Sequence, residues 1–454
     1  MTLQSPGDGA DRPAGLVPVT ASAGRVPDPA SAGRLGIAII GLGGAVGTTV
    51  VAGVELMRQG RVGTDGLPLA HLPASDLPPV GLAAYDDLVF GGWDLSAADL
   101  ADAARTHDVL GLAHYEAARD ALAAVAPWPA VGDARFCAGV TGAHAVAAPS
   151  RRAAVDHIRA DLRRFLAENG LERAVVINLA STEATPDLDA DIFQTPEAFE
   201  AAVDADDVRL PPGCLYAYAA ILEGVPYGNF TPSVGADVPA LVALAARNGV
   251  PLAGRDGKTG QTLIKTILAP GFRDRALRVD GWFSTNILGN RDGEALREAG
   301  SLASKIGTKG SVLDQILGYP VESHVVRINY YKPRGDAKEA WDNVDLTGFL
   351  GERMQVKVNF LCKDSILAAP LAIEIARCAA SRQRAGQGGA MDAMGVFFKG
   401  PMTTAGAVPE HDFGRQQAAF LTWLRGLEEG PSGGPEPVAS GQQPVADAAA
   451  ASPA

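Results

Sequence analysis

Two lysines four residues apart, Lys305 and Lys309, lie within a run of small and hydroxylated residues, Ser304 to Ser311. Ammonium groups are compact positive charges that hold phosphates and oxyanions. Four-residue spacing would place both lysines on one face of a helix. Just upstream, residues 284–293 form a polar stretch that we interpret as rich in turns. The pattern predicts a site for an anionic, oxygen-rich substrate, although an exposed turn carrying two lysines is the simpler interpretation of these residues alone.

A glycine-rich turn follows the first apolar segment of the chain. The run Leu35–Ile40 is typical of a buried parallel strand, and the turn Gly41–Gly47 leads into a helical spacing of apolar residues. Glycines permit a tight turn and let backbone N–H groups approach a pyrophosphate at a helix N-terminus. The order predicts a dinucleotide site, with a glycine turn that binds nothing as the alternative. Asp94 ends a second predicted strand and could hold ribose hydroxyls or simply form a turn.

Composition restricts the class of protein. The chain has 454 residues, of which 47% are hydrophobic and 20% charged, with a net charge of −13. This balance predicts a soluble protein of two or three domains and argues against binding to nucleic acid or to a membrane surface. The four cysteines show no CxxC spacing, which favours a reduced, cytoplasmic protein over a disulfide scaffold. Residues 35–54 carry no charge, but their six glycines predict a strand, a turn and a helix rather than a membrane span.

Strands and helices alternate along the first half of the chain. A helix is predicted from Ser150, which caps it, to Gly170, which ends it, and a buried strand follows at 174–178. Such alternation predicts a doubly wound α/β sheet with ligands at the carboxyl ends of its strands. Alternating apolar residues at 326–331 and 354–360 predict half-buried strands of a mixed α+β insertion. Gly257-Lys-Thr is not a P-loop, because Leu252 stands where that motif needs glycine.

Several separated motifs carry a resemblance to a known family. They are the turn at 41–47, Phe90-Gly-Gly-Trp-Asp94, Ala180-Ser-Thr-Glu183, Asp256-Gly-Lys-Thr-Gly-Gln-Thr262, Asn286-Ile-Leu-Gly-Asn-Arg-Asp-Gly293, Lys305 with Lys309, Gly335-Asp-Ala-Lys338, Asp364-Ser-Ile-Leu-Ala-Ala-Pro370 and Phe398-Lys399. In this order, over residues 35–427, the sequence resembles the myo-inositol-1-phosphate synthase (inositol-3-phosphate synthase) family, in a bacterial branch.

The resemblance implies a Rossmann-type NAD-binding domain with an inserted α+β domain for catalysis and tetramer formation. The organisation that we predict is a disordered lead at 1–33, the NAD-binding domain at 34–255, the catalytic and oligomerisation domain at 256–360, a segment returning to the NAD-binding domain at 361–428, and a disordered tail at 429–454.

The family's reaction converts glucose 6-phosphate to 1D-myo-inositol 3-phosphate without net redox, through oxidation at C5, enolisation, aldol closure and reduction. The resemblance therefore implies NAD as cofactor, glucose 6-phosphate as substrate, a homotetramer, and a cytoplasmic enzyme of inositol and phospholipid biosynthesis. Some members use a divalent cation and others a monovalent one, and the sequence does not identify a metal ligand set. A relative acting on another sugar phosphate, a dehydrogenase with net redox, and an NAD-binding protein without activity are the alternatives.

The resemblance also assigns site residues. The catalytic lysines are Lys305, Lys309, Lys338 and Lys399. The substrate-binding positions are Asn286, Leu288, Gly289, Asn290 and Asp292. The cofactor-binding positions are Gly41, Gly43, Gly44, Ala45, Val46, Asp94, Ala180, Thr182, Asp256, Thr259, Gln261, Thr262, Asp336 and Asp364. Ala45 and Val46 stand where many eukaryotic members have asparagines, and Lys258 and Lys265 lie near the motif but receive less weight.

Overall fold

The computed structural model describes residues 33–138, 142–289, 312–404 and 407–428. Within these ranges the strands form two sheets, one of seven strands and one of four. The first sheet contains β1 (Leu35–Ile40), β2 (Leu88–Asp94), β3 (Trp128–Pro129), β4 (Ala174–Asn178), β5 (Tyr227–Asn229), β6 (Pro251–Gly254) and β11 (Gly389–Ala390). All its pairings are parallel, in the order β11-β6-β5-β4-β1-β2-β3.

The strand order reverses at β1, which pairs with β2 on one side and β4 on the other. All residues of β1 and β4 are buried, as their uninterrupted apolar sequences predict for strands covered on both faces. Connections leave such a pair toward opposite faces of the sheet, so a crevice opens beyond the carboxyl ends of these two strands. The predicted bounds of both strands are confirmed.

Helices cover both faces of the first sheet, and the helix Gly260–Asp274 packs against the second sheet. They are α1 (Ala45–Arg58), α2 (Leu100–His107), α3 (Leu112–Ala123), α4 (Arg151–Asn169), α5 (Pro196–Asp204), α6 (Pro212–Leu222), α7 (Pro239–Arg247), α8 (Gly260–Asp274), α9 (Asp364–Arg384) and α10 (Phe413–Arg425). The predicted caps of α4 are confirmed: Ser150 Oγ accepts from Ala153 N–H at 3.2 Å, and Gly170 ends the helix with φ +57°. Helix α9 packs beside α1, so a late segment of the chain completes one hydrophobic core.

The second sheet contains β7 (Arg278–Leu288), β8 (Ser323–Tyr330), β9 (Ala337–Thr347) and β10 (Arg353–Lys363), in the order β10-β9-β7-β8. Strands β7 and β8 are parallel and the other pairs are antiparallel. One face packs against α8 and the helical residues 312–317, around Trp282, Val344 and Leu313.

The interpretation of residues 284–288 as part of a turn-rich stretch is wrong, because they end strand β7. Their polar side chains misled the prediction. Ser284 is fully buried, yet its hydroxyl donates to Asp342 Oδ1 at 2.5 Å across the sheet, so the strand satisfies its own polar groups. Strand β9 was also not predicted. Its outward-facing residues Glu339 and Asp345 alternate with buried residues, but which residues are buried is visible only in the folded sheet.

The predicted fold class, a doubly wound α/β domain with a smaller mixed sheet, is confirmed. The domain boundaries themselves stay a prediction. Among the described residues, no helix is long and apolar enough to cross a membrane. Residues 35–54, the charge-free window, form β1, the glycine turn and part of α1.

Candidate active site

A cavity of about 550 Å³ lies at the carboxyl ends of β1, β2 and β4, where the strand order reverses. Of the predicted cofactor-binding residues, its walls include Gly41, Gly43, Gly44, Ala45, Val46, Asp94, Ala180 and Asp364. Predicted residue Thr182 is not among the lining residues, although its neighbours Ser181 and Glu183 are. The structure therefore brings three separated motifs to one crevice, the place where open α/β sheets bind ligands.

The glycine turn has little room for side chains. Gly41 has φ +82°, and a Cβ there would lie 3.0 Å from the Ala180 Cα. A Cβ on Gly43 would lie 3.1 Å from an Asp94 carboxylate oxygen. The absence of side chains leaves backbone groups at the cavity wall next to the N-terminus of α1, as a bound pyrophosphate requires.

Asp94 fixes the turn. Its Oδ2 accepts from Gly43 N–H at 2.9 Å, and its Oδ1 accepts from Ser96 N–H at 2.9 Å. These bonds hold the carboxylate at the cavity wall. A carboxylate at the end of the second strand suits ribose hydroxyls, and its side chain also braces the glycine turn, which the sequence did not indicate.

Glu183 is a half-buried carboxyl on the same cavity that the sequence did not single out as a site residue. It accepts from Gly213 N–H at the start of α6 at 3.0 Å. Loss of solvation raises the pKa of Glu183 to about 7, against the lowering effect of that N–H bond. Glu183 therefore changes charge near neutral pH beside the expected cofactor.

A second group of predicted site residues surrounds the start of α8. The segment 256–258 runs beside 397–399: Lys258 N–H donates to Phe397 O at 2.7 Å, and Lys399 N–H donates to Asp256 O at 2.6 Å. The side chains of the latter pair also meet, with Lys399 Nζ 2.6 Å from Asp256 Oδ1. Both residues are buried, so this ion pair is shielded from solvent.

Lys338 reaches the same place from β9. Its Nζ lies 3.3 Å from Asp364 Oδ1, which also accepts from Thr259 Oγ1 at 3.1 Å. A Cβ on Gly260, the first residue of α8, would lie 3.5 Å from the Lys338 Nζ. Burial lowers the pKa of Lys338, but nearby acidic groups led by Asp364 outweigh it and leave the pKa raised, so the ammonium stays protonated.

Asp364 joins the two groups, because it also lines the large cavity. It is the first residue of α9, and its neighbour Ser365 is held by Asp336: the Ser365 hydroxyl donates to Asp336 Oδ1 at 2.9 Å. Lys338 and the cavity at the glycine turn thus share one carboxylate, and Asp336 fixes the residue beside it.

Gln261, Thr262 and Asn286 form the interior of this region rather than a wall of the large cavity. Gln261 Nε2 donates to the Thr285 carbonyl at 3.0 Å, and Gln261 Oε1 accepts from Asn286 Nδ2. These bonds tie the first turn of α8 to β7. Leu288 is buried at the end of that strand, and Gly289 N–H donates to Gly335 O at 3.1 Å. The predicted residues Lys305, Lys309, Asn290 and Asp292 lie outside the described residues.

A family model described as "Myo-inositol-1-phosphate synthase" matches residues 69–425. The chain belongs to this family. Inositol-3-phosphate synthase 1 of Bacteroides thetaiotaomicron is 39% identical over 409 residues, which are 87% of this chain and 95% of the relative. Inositol-3-phosphate synthase isozyme 1 of Arabidopsis thaliana is 32% identical over 75% of this chain and 73% of its own. The crystal structure of inositol-3-phosphate synthase from Caenorhabditis elegans matches with a TM-score of 0.80 and 25% identity, over 91% of this chain and 90% of that one.

The myo-inositol-1-phosphate synthase family binds NAD, and the residues of this chain fit that cofactor. The cavity provides a cradle without side chains at the N-terminus of α1 and a carboxylate at the end of β2. Ala45 and Val46 contribute no polar side-chain atoms, so contacts to the phosphates fall to the backbone there. Among the described residues, no group of three or more His, Cys, Asp or Glu side chains is arranged to hold a metal, and the expected cation stays a prediction.

Two further buried lysines deserve more weight than the sequence gave them. Burial, with the nearby Lys399 ammonium, lowers the pKa of Lys258 to about 7. Burial lowers the pKa of Lys265 to about 8, and its Nζ lies 2.7 Å from His324 Nε2. The sequence did carry a signal for both lysines, because each is flanked by apolar or small residues. Lys258 lies within the Asp256–Thr262 motif and Lys265 lies just after it.

Proposed function

We propose that this chain is an inositol-3-phosphate synthase that converts D-glucose 6-phosphate to 1D-myo-inositol 3-phosphate with NAD as a recycled cofactor. Family membership and the curated relatives support this activity. The observation that carries the site assignment is Asp364, which lines the NAD-sized cavity and also bonds Lys338 and Thr259. The proposed hydride-transfer site and the proposed lysine site therefore share the Asp364 carboxylate.

The overall reaction moves two electrons out of the substrate and back again. NAD, when bound, accepts a hydride from C5 and later returns it, so no net redox results. The C5 ketone makes the C6 protons acidic. Transfer of one of them to a general base gives an enolate, whose C6 attacks the C1 aldehyde and closes the ring. Negative charge develops on the C5 oxygen and then on the former aldehyde oxygen, and both must be stabilised by cations or donors.

Lys338 and Lys399 are the described cations placed for this work. Lys338 stays protonated beside Asp364 and next to the first residue of α8. It supplies a fixed positive charge for an oxyanion or the substrate phosphate, together with the backbone N–H groups at this helix start. Lys399 is hydrogen-bonded to Asp256, which holds its ammonium in position to donate a hydrogen bond to a substrate oxygen as negative charge develops there.

The test supplies glucose 6-phosphate and a substoichiometric amount of NAD⁺, with phosphorus NMR and absorbance at 340 nm as readouts. We expect an inositol phosphate in large excess over the cofactor and no lasting NADH. Steady NADH accumulation without a cyclic product would indicate a dehydrogenase. Turnover only with a different sugar phosphate would indicate a specialised relative.

The tetramer expected from the family is a second part of the proposal. The face of the four-stranded sheet opposite α8 carries Phe283 and Trp341, whose ring centroids lie 6.0 Å apart, and the exposed Leu361. Trp341 is 39% exposed and Leu361 61%, values that favour burial against another copy of the same sheet. The association would place this cytoplasmic enzyme, as a homotetramer, at the entry to inositol and phospholipid biosynthesis.

Sedimentation of the full chain tests the tetramer. Wild type should sediment as one species of four chains, and Trp341→Glu with Leu361→Asp should shift it to smaller species. Glu322→Asp, a change at an exposed residue before β8, is the control and should leave the mass unchanged. Unchanged mass in the double variant would show that another surface holds the subunits.

A further inference from the structure

A second, smaller cavity lies behind the start of α8. Its volume is about 230 Å³, and it is lined by parts of α8, α9, α10, the loop after α1 and the segments 258–259 and 396–397. Most of its wall is apolar, provided by side chains that include Leu69, Leu72, Leu367, Leu371, Phe397 and Phe420. Neither Lys338 nor Lys399, the predicted lysines that the structure describes, lines it, and no predicted glycine does. Thr259 is the predicted site residue that it shares with the reaction site.

Lys258 is the charged residue in the wall of this cavity. It is 2% exposed, its Nζ donates to Gln416 Oε1, and the Nζ lies 5.9 Å from the centre of the Phe413 ring. Across the described ranges, no carboxylate lies within ion-pair distance of the Lys258 Nζ. An amide and an aromatic ring solvate an ammonium only in part, so Lys258 in its protonated form is a buried cation without a counter-ion among the described residues.

The surroundings of Lys258 further disfavour its positive charge. Besides burial, the Lys399 ammonium disfavours a positive charge at Lys258. His411 is buried nearby, and burial together with the Lys258 charge lowers the pKa of His411 to about 4, so the imidazole is neutral. Glu410 partly offsets the lowering of the pKa of His411, but none of the described acidic groups counters the effect of burial on the pKa of Lys258. Lys399 itself is paired with Asp256. A ligand with one negative charge would supply the counter-ion.

We propose that this cavity binds a small monocarboxylate with an apolar body, its carboxylate paired with Lys258. A dianion such as inorganic phosphate does not fit, because the apolar wall could not replace its hydration. A drug-sized ligand does not fit either, since such ligands occupy roughly 300–1,000 Å³. A hydrocarbon of a few carbons satisfies the wall, and one carboxylate balances one ammonium.

The site is built to influence the reaction site. Lys258 and Thr259 are consecutive, and the Thr259 hydroxyl bonds Asp364. A carboxylate at Lys258 would also offset the repulsion between Lys258 and Lys399. Binding should therefore change the electrostatic field at Lys399, and by linkage substrate binding should change the affinity for the carboxylate. The binding itself does not depend on the proposed activity.

Calorimetry with the full-length protein tests the site, with hexanoate as the probe and 1-hexanol as its neutral counterpart. We expect one hexanoate per chain and at least tenfold weaker binding of hexanol. Glucose 6-phosphate at saturation should leave the hexanoate site available. Equal binding of the alcohol, no binding of hexanoate, or direct competition by glucose 6-phosphate would each overturn the proposal.

Two variants locate the site by different means. Lys258→Met removes the charge, and Leu371→Phe fills the cavity while leaving the lysine in place. Each should weaken hexanoate binding at least tenfold, whereas Lys332→Met, at an exposed lysine, should not change it. If circular dichroism shows that Lys258→Met is unfolded, Leu371→Phe decides alone. Unchanged binding in the folded variants would refute the site.

Discussion

The NAD cavity and the lysine site are assembled in opposite ways. The cavity depends on backbone groups of a short glycine turn, with Asp94 bracing it. The lysine site depends on buried charges from segments far apart in the chain, namely 256–260, Lys338, Asp364 and Lys399. The first kind of site is sensitive to added atoms, and the second is sensitive to lost charges.

Removal of the Lys399 charge should produce the largest effect. Lys399→Met should lower kcat roughly a thousandfold, at the upper end of what loss of one oxyanion donor costs. NAD affinity, measured by fluorescence titration, should change less than twofold, because the glycine turn is untouched. The variant also leaves Asp256 buried without its ammonium, which should lower the melting temperature.

The double variant Lys399→Met with Asp256→Asn separates the two consequences of that change. It also removes the charge of Asp256, so the melting temperature should recover while kcat stays low. Recovery of both would show that Lys399 acts only through stability.

A side chain at Gly41 should produce the converse result. Gly41→Val adds atoms within about 3 Å of Ala180 and forces a β-branched residue to φ +82°. We expect NAD to bind at least tenfold more weakly, which corresponds to about 1.4 kcal/mol, with glucose 6-phosphate binding to the NAD-saturated protein little changed.

Gly60→Val is the matched control for backbone strain. Gly60 has φ +64° but nothing within 4 Å of an added Cβ, and it lies outside the cavity. Its cost in stability should be similar, at about 1–2 kcal/mol. A similar loss of NAD affinity in both variants would contradict the role of the turn.

The two regions should also respond to pH with opposite signs. The pKa of Glu183 is raised from 4.5 to about 7, so between these values the folded state binds more protons and stability falls as pH rises. The pKa of Lys258 is lowered from 10.5 to about 7, so above pH 7 the unfolded state binds more protons and stability rises with pH.

Denaturant unfolding across the pH range measures both slopes. Glu183→Gln should reduce the fall between pH 4.5 and 7, and Lys258→Met should reduce the rise between pH 7 and 10.5. Each group contributes at most about 1.4 kcal/mol per pH unit. If a variant leaves the slope of stability against pH unchanged in the interval of the group it removes, the pKa of that group is not shifted.

The smallest effect should come from the bond between Thr259 and Asp364, where the two regions meet. Thr259→Val keeps the shape of the side chain and removes the hydrogen bond, which should cost about 1 kcal/mol. NAD affinity is titrated with and without glucose 6-phosphate. We expect the ratio of these two affinities to be about fivefold smaller in the variant than in wild type. Thr259→Ser retains the hydroxyl and should behave as wild type.

The contrast also explains what the sequence could predict. The strand Leu35–Ile40, the glycine turn and the capped helix α4 are local patterns, and the structure agrees with them almost to the residue. Strand β7 could not be predicted because Ser284 and Asn286 are typical turn residues. In the structure their polar groups form hydrogen bonds with Asp342 and Gln261 on other elements. The family resemblance could predict that Asp364 is a site residue, but residue spacing could not predict its position between the two sites. Lys338 and Thr259 approach Asp364 only through tertiary packing.

Strand β11 and helix α9 have a consequence for how the protein is made. Both belong to the first sheet and its core, yet they follow the entire second sheet in the chain. While the ribosome is still synthesising that second sheet, the edge of β6 has no partner and the core beside α1 lacks its cover. We therefore expect the nucleotide-binding half to remain open to proteases and to chaperones until late in translation, and to close only as the last hundred residues emerge, on the order of ten seconds after β6 at bacterial rates.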